Sequence, residues 1–158
     1  MTEKENLQGL RGWLILVGIN VVLSPWVTIF WLVKTYIPIF SGGAWEVLTS
    51  PDSAFYHPFW KYLIAGELVS NSFLIAVMFF LNYLFFCRKK LFPRVFIALS
   101  IFMPAFIVMD ALLTGIVAPE EPVFDPETMK ELRRSVISAL IWVPYMLMSK
   151  RVKATFIR

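Results

Sequence analysis

Charge is missing from long stretches of this chain, and no other feature narrows its fold as far. Between Arg11 and Lys34 lie 22 uncharged residues (12–33), and between Glu67 and Arg88 lie 20 more (68–87). A third stretch, 95–119, is broken only by Asp110, and a fourth, "SVISALIWVPYMLMS" (135–149), has 15 residues. A helix of about 20 apolar residues crosses a hydrocarbon core roughly 30 Å thick. The stretches show no two-residue alternation of the kind a barrel strand needs. They predict an all-α fold: a four-helix transmembrane bundle forming one domain (1–158), with spans at about 12–33, 60–87, 93–118 and 134–149. The first stretch exceeds the roughly 7–15 residues of a signal-peptide core and is followed by no A-x-A-like site, so it reads as a membrane helix.

Where the charges do fall sets the expected orientation. Lys4 and Arg11 precede the first span. Arg88, Lys89, Lys90 and Arg94 lie between spans two and three, and Lys150, Arg151, Lys153 and Arg158 follow the last. These are ten of the 15 Lys and Arg residues; the remaining two loops hold two and three. Cytoplasmic loops are enriched in Lys and Arg, so both termini are expected in the cytoplasm. Basic residues placed this way report topology, and the net charge of +4 does not point to nucleic acid.

The outer loops differ. The first (34–61) carries Tyr36, Phe40, Trp45, Phe55, Tyr56, Phe59 and Trp60, and Trp and Tyr favour the headgroup level. Within it "SGGAWEVLTS" is expected to form a short amphipathic segment, and Pro58 to open span two. In the last loop Asp125 can cap a helix whose first residue is Pro126. That helix is expected to run unbroken to about Ser149.

Asp110, inside "FIVMDALLTG" (106–115), is the residue an apolar crossing accepts least readily. It lies 16 residues beyond Arg94, and Arg134 lies 16 residues before Lys150. At 1.5 Å per residue both stand roughly 24 Å above the same edge. The equal heights predict that Asp110 pairs with Arg134 or Arg133, with Glu67 joining them. Alternatively both arginines snorkel outward and Asp110 faces a wet vestibule. Helical spacing gathers other polar residues into stripes: Asn71, Met78 and Asn82 with Glu67; Ser100, Met103 and Thr114 with Asp110; Ser138, Trp142, Tyr145 and Ser149 with Arg134; Asn20, Ser24 and Thr28 with Trp31. The candidate binding cluster is therefore Glu67, Asn71, Asp110, Thr114, Arg133 and Arg134. The plainer reading is that these groups only hold the bundle together. Pro25, Pro104 and Pro144 lie inside spans and can kink them.

The segments "GLRGWLILVGI" (9–19), "GELVSN" (66–71) and "FFCRKKLFPRVFI" (85–97) resemble a bacterial family known as domain of unknown function 2569. The resemblance runs from Gly9 to about Leu147. It implies a small four-helix protein of the bacterial inner membrane and implies no reaction. The aromatic first loop has the character of a variable part.

No H-E-x-x-H, G-x-S-x-G or P-loop occurs. His57 reads as a solvated loop residue and Cys87 as packing at the inner interface. No catalytic residue, metal site or cofactor is expected. The leading functional expectation is a non-catalytic partner, assembly or accessory protein, in contact with the lipid bilayer and with a membrane-protein partner or a second copy. A small, dimeric, proton-coupled transporter using Glu67 and Asp110 is the alternative. A lipid-modifying enzyme, with the two carboxylates as acid and base and Arg133 and Arg134 holding a phosphate, comes third.

Overall fold

The computed structural model describes residues 9–157. Lys4 and Arg158, used above for orientation, lie outside that range. Every regular element among the described residues is a helix. Three are long: α1 (Trp13–Ser41), α3 (Trp60–Phe86) and α4 (Phe92–Val117). The short α2 (Ala44–Thr49) follows α1, α5 (Pro126–Met148) follows α4, and α6 (Lys150–Thr155) ends the chain. The helices α1, α3 and α4 are long and apolar enough to cross a membrane. The α5 helix does not reach that measure, because its first half carries Glu127, Lys130, Glu131, Arg133 and Arg134.

Three elements depart from expectation, the least of them α3, which opens at Trp60 and not at Pro58. The first helix does not stop at Lys34 but continues to Ser41. Its 29 residues span about 44 Å, well beyond a hydrocarbon core of roughly 30 Å. Lys34 is tolerated in it because its Nζ reaches over the Trp31 ring, 4.6 Å from the centroid. The third departure is α6, a basic helix where only a tail was expected. Ser149 caps it, accepting a hydrogen bond from the amide of Val152. The α5 helix starts at Pro126 beneath its Asp125 cap, which accepts from the amides of Glu127 (2.7 Å) and Thr128 (2.9 Å). The bonds from Thr128 and Glu127 hold the Asp125 carboxyl below its ordinary range.

One cluster of buried residues packs at one end of the molecule, and Tyr36, Leu63, Ile64 and Val117 are buried toward the other. Leu14, Val17 and Val21 from the start of α1 meet Leu81, Leu84 and Phe85 from the end of α3 and Phe92 and Phe96 from the start of α4. Met146 joins from the end of α5, and Val152 and Phe156 from the C-terminal segment. The long helices thus run antiparallel in succession. Phe156 stacks on Phe92 with ring centroids 4.5 Å apart and lies 5.8 Å from Phe85. Trp13 meets Trp142 edge to face at 6.4 Å, joining α1 to α5. Thr155 exchanges hydrogen bonds with the backbone of Gly9, so the two ends of the described range are tied together. Gly18 permits this closeness: a Cβ there would stand 2.9 Å from Cζ of Phe85.

The turn from α3 to α4 is a Schellman motif. The Lys89 amide donates to the Leu84 carbonyl and the Arg88 amide to that of Phe85. Arg88 holds the left-handed position (φ 53°) that glycine usually fills, at a cost of about 1–2 kcal/mol. We call this end, which carries Arg11, Arg88, Lys89, Lys90, Arg94 and α6, the basic end. The opposite end holds Glu67 and Asp110.

A proline inside α1 explains one bond across helices. Pro25 has no amide hydrogen, so the carbonyl of Val21 loses its intrahelical donor. Asn82 on α3 donates to that carbonyl at 2.8 Å, and the Ser24 hydroxyl donates to it at 3.2 Å. In a membrane a freed backbone group needs such a replacement. Asn82→Leu is expected to cost about 0.6–2 kcal/mol, the range for hydrogen bonds between membrane helices. In a Pro25→Ala background, where the helix supplies its own donor, the cost should shrink. Denaturant titration in mixed micelles measures both, and strict additivity would refute the compensation.

Candidate functional site

Between α1, α3, α4 and the first turns of α5 lies a cavity of about 600 Å³. Leu74, Met78, Met103, Phe106 and Ile107 form its apolar wall, and Trp60 stands at the start of α3. Residues 118–123 fold over it. Gly115 allows that approach, since a Cβ there would come 2.8 Å from Cγ2 of Val123. Five lining residues are acids, Glu67, Asp110, Glu121, Asp125 and Glu131, and none is Lys, Arg or His.

Two of these acids come together inside the bundle. Glu67 lies two turns into α3 and Asp110 two turns before the end of α4, so antiparallel packing sets them at similar depth. Their carboxyl groups stand within hydrogen-bonding reach of each other. The Tyr36 hydroxyl on α1 donates to Oε2 of Glu67 at 2.7 Å. Tyr36 is buried at 7% exposure. A hydrogen bond thus ties α1 to α3 at Glu67, and the neighbouring Asp110 carboxyl brings α4 to the same place. Like charges at this separation repel strongly where water is scarce. A proton shared between them or a cation beside them relieves that repulsion.

The expected partner of Asp110 was an arginine, and the structure replaces it with Glu67. Arg133 and Arg134 are exposed and do not line the cavity. Arg133 turns back to its own helix, where Nε donates to the carbonyl of Met129 at 3.4 Å. The reason is rotation about the helix axis. Thr128 and Glu131 face the cavity; at 100° per residue Arg133 points roughly 170° away from their mean direction and Arg134 roughly 90° away. Equal height brought no contact because the azimuth differed.

Of the candidate cluster, Glu67, Asn71, Asp110 and Thr114 share the cavity, and Met78, Met103 and Thr28 from the polar stripes join them. Asn71 is turned to its own helix, its Nδ2 donating to the Glu67 carbonyl at 2.9 Å. Asn20 and Trp31 are exposed instead. Sequence reasoning missed Tyr36, placed among the loop aromatics because Lys34 was read as the end of the helix. It also missed Glu121, Asp125 and Glu131 as cavity acids. Their closeness in sequence to one another was visible, but not the fold of the loop onto α4. Among the described residues no three His, Cys, Asp or Glu side chains stand together as metal ligands would.

A double-mutant cycle separates the two pairings. Glu67→Gln and Asp110→Asn each relieve repulsion while keeping a hydrogen-bonding group. Each should raise stability alone, and the double variant should gain less than the sum, with a coupling of about 0.5–3 kcal/mol. Arg134→Gln combined with Asp110→Asn should be additive within about 0.5 kcal/mol. Thermal unfolding in detergent reports both cycles; coupling in the second and none in the first would reverse the assignment.

Searches of curated proteins and of solved structures found no match to this chain. A family comparison did, over residues 7–157, which is nearly the whole sequence. The segments around Trp13, Glu67 and the basic turn fall within that match, and so does the entire cavity. The chain belongs to the family described as "Protein of unknown function (DUF2569)".

Proposed function

We propose that this chain is a non-catalytic accessory protein of the bacterial inner membrane, with four crossings and both termini in the cytoplasm, that receives an organic cation in its outer cavity. One observation carries the reading: a half-enclosed space of about 600 Å³ with five acids and no base on its walls. Acids within membrane helices normally pair or mark a ligand path. Here the pairing is acid with acid, which leaves negative charge to be met by something else. The apolar wall of Leu74, Met78, Met103, Phe106 and Ile107 suits a ligand with a greasy body as well as a charge. Small-molecule pockets combine these features at similar volumes, roughly 300–1,000 Å³.

The packing of α5 supports the fourth crossing. It lies along α4 for much of its length, and its last turns reach the core at the basic end through Met146 and Trp142. Its second half presents Ile137, Leu140, Ile141, Leu147 and Met148 outward, which lipid can cover. The charge distribution supports the orientation: eight described Lys and Arg residues gather at the basic end against five elsewhere. A second reading, proton-coupled transport of the same cation, is favoured by the Tyr36–Glu67–Asp110 series, which offers a proton a short relay between three helices.

A pair of probes with the same shape and opposite charge tests the reading. Tetraphenylphosphonium should bind the purified protein in nanodiscs, and tetraphenylborate should not exceed its partition into empty discs. Binding should fall at least tenfold in a Glu67→Gln, Asp110→Asn double variant. Equal binding of both ions, or no loss in the variant, would defeat the proposal. In proteoliposomes a pH gradient should leave the bound cation untransported if the role is accessory, and drive its uptake if the protein is a carrier.

Orientation has its own test. In a Cys87→Ser background, a cysteine replacing Ser53 should react with a membrane-impermeant maleimide added outside intact cells, and one replacing Lys90 only after lysis. The reverse pattern would overturn the topology.

A further inference from the structure

The basic end has a charge arrangement the cavity does not explain. Arg11, Arg88, Lys89, Lys90, Arg94, Lys150, Arg151 and Lys153 converge there, because Phe156 anchors α6 against Phe92 and Phe85 and Thr155 ties it to Gly9. All nine described acids lie in the opposite half or in its loops. No described carboxylate therefore neutralises this group. Within it, Nη1 of Arg151 is shut off from solvent and has no hydrogen-bond partner among the described residues. A buried guanidinium donor without an acceptor is costly, and native structures leave few such groups without a partner. Arg88 adds to the case. It occupies a left-handed position that glycine would hold without strain, so the turn keeps a guanidinium there against its backbone preference.

We propose that Arg151, with the basic turn around Arg88, binds a phosphoryl anion, supplied by the headgroup of an acidic phospholipid. A phosphate fits the geometry of a guanidinium better than a simple halide does, since it accepts two parallel N–H bonds. The location fits the lipid source. The site lies where three long apolar helices end, at the level of headgroups, and basic clusters beside membrane helices attract anionic lipid. Lys34 and Lys61, at the other end, lie over the rings of Trp31 and Tyr62 instead. The inference is independent of the cavity's ligand.

The test uses the full chain, delipidated in detergent and examined by native mass spectrometry and thermal unfolding. Phosphatidylglycerol should be retained at a fixed stoichiometry and should raise the melting temperature, and phosphatidylcholine should do neither. Arg151→Gln should weaken retention at least fivefold, Arg151→Lys should restore part of it, and Lys61→Gln at the far end should leave it unchanged. Arg88→Gly should weaken retention while sparing the fold. Inorganic phosphate that stabilises the protein as strongly as the lipid would support the phosphoryl site with a soluble source. Equal retention of both lipids, or retention indifferent to Arg151→Gln, would overturn the proposal. So would a loss of the Arg151→Gln effect in a Glu3→Gln, Glu5→Gln background, which would make the missing partner a carboxylate of this chain.

Discussion

The structure depends on the aromatic contact that closes one end of the bundle. Phe85, Phe92 and Phe156 come from the end of α3, the start of α4 and the C-terminal segment, and their rings lie 4.5 to 5.8 Å apart. Between membrane helices there is no hydrophobic drive, because lipid is as apolar as the side chains, so close packing must hold them. At this end the packing draws on α1, α3, α4, α5 and the C-terminal segment together. Gly18 lets Phe85 approach α1 at this end, where a Cβ would stand 2.9 Å from its Cζ.

The described acids all lie toward the cavity end or in its loops, whereas eight of the 13 described Lys and Arg residues lie at the clamped end and five toward the acids. Salt bridges do little within the described fold. Glu67 and Asp110 face each other, and Tyr36 serves as hydrogen-bond donor to the pair. The Asn82–Val21 bond shows the opposite treatment of polarity: a side chain repairs a backbone defect created by Pro25 and is satisfied in doing so. The first arrangement leaves an electrostatic demand unmet and the second leaves none, which is why the first is the candidate site.

Much of the helical framework could be read from the spacing of charges, since a charge is hard to hide in lipid. The rule failed where a charge could escape. Lys34 reaches an aromatic ring, and so α1 continued past it and took Tyr36 into the bundle. The cap at Asp125 was legible because Pro126 follows it and the motif is local. Glu67, Asn71, Asp110 and Thr114 were found together because helical periodicity within each span indicated one polar face. The partner of Asp110 was not found. Rise along an axis can be counted from sequence, but the rotation that one helix adopts against another depends on side-chain shapes at the seam. For α5 that rotation sent Arg133 and Arg134 away from the acids they matched in height.

The hydrogen bonds between Thr155 and Gly9 have a consequence for how this protein can be joined to others. Both ends of the described chain leave from one spot on one face, so a peptide bridging them would close only a short loop, and loop-closure entropy grows slowly with length. The backbone is in effect a ring with a small gap. A chain leaving at Gly9 and one leaving at Ile157 start from the same neighbourhood. Two copies linked tail to head would need only enough connector to pass from one such neighbourhood to the next.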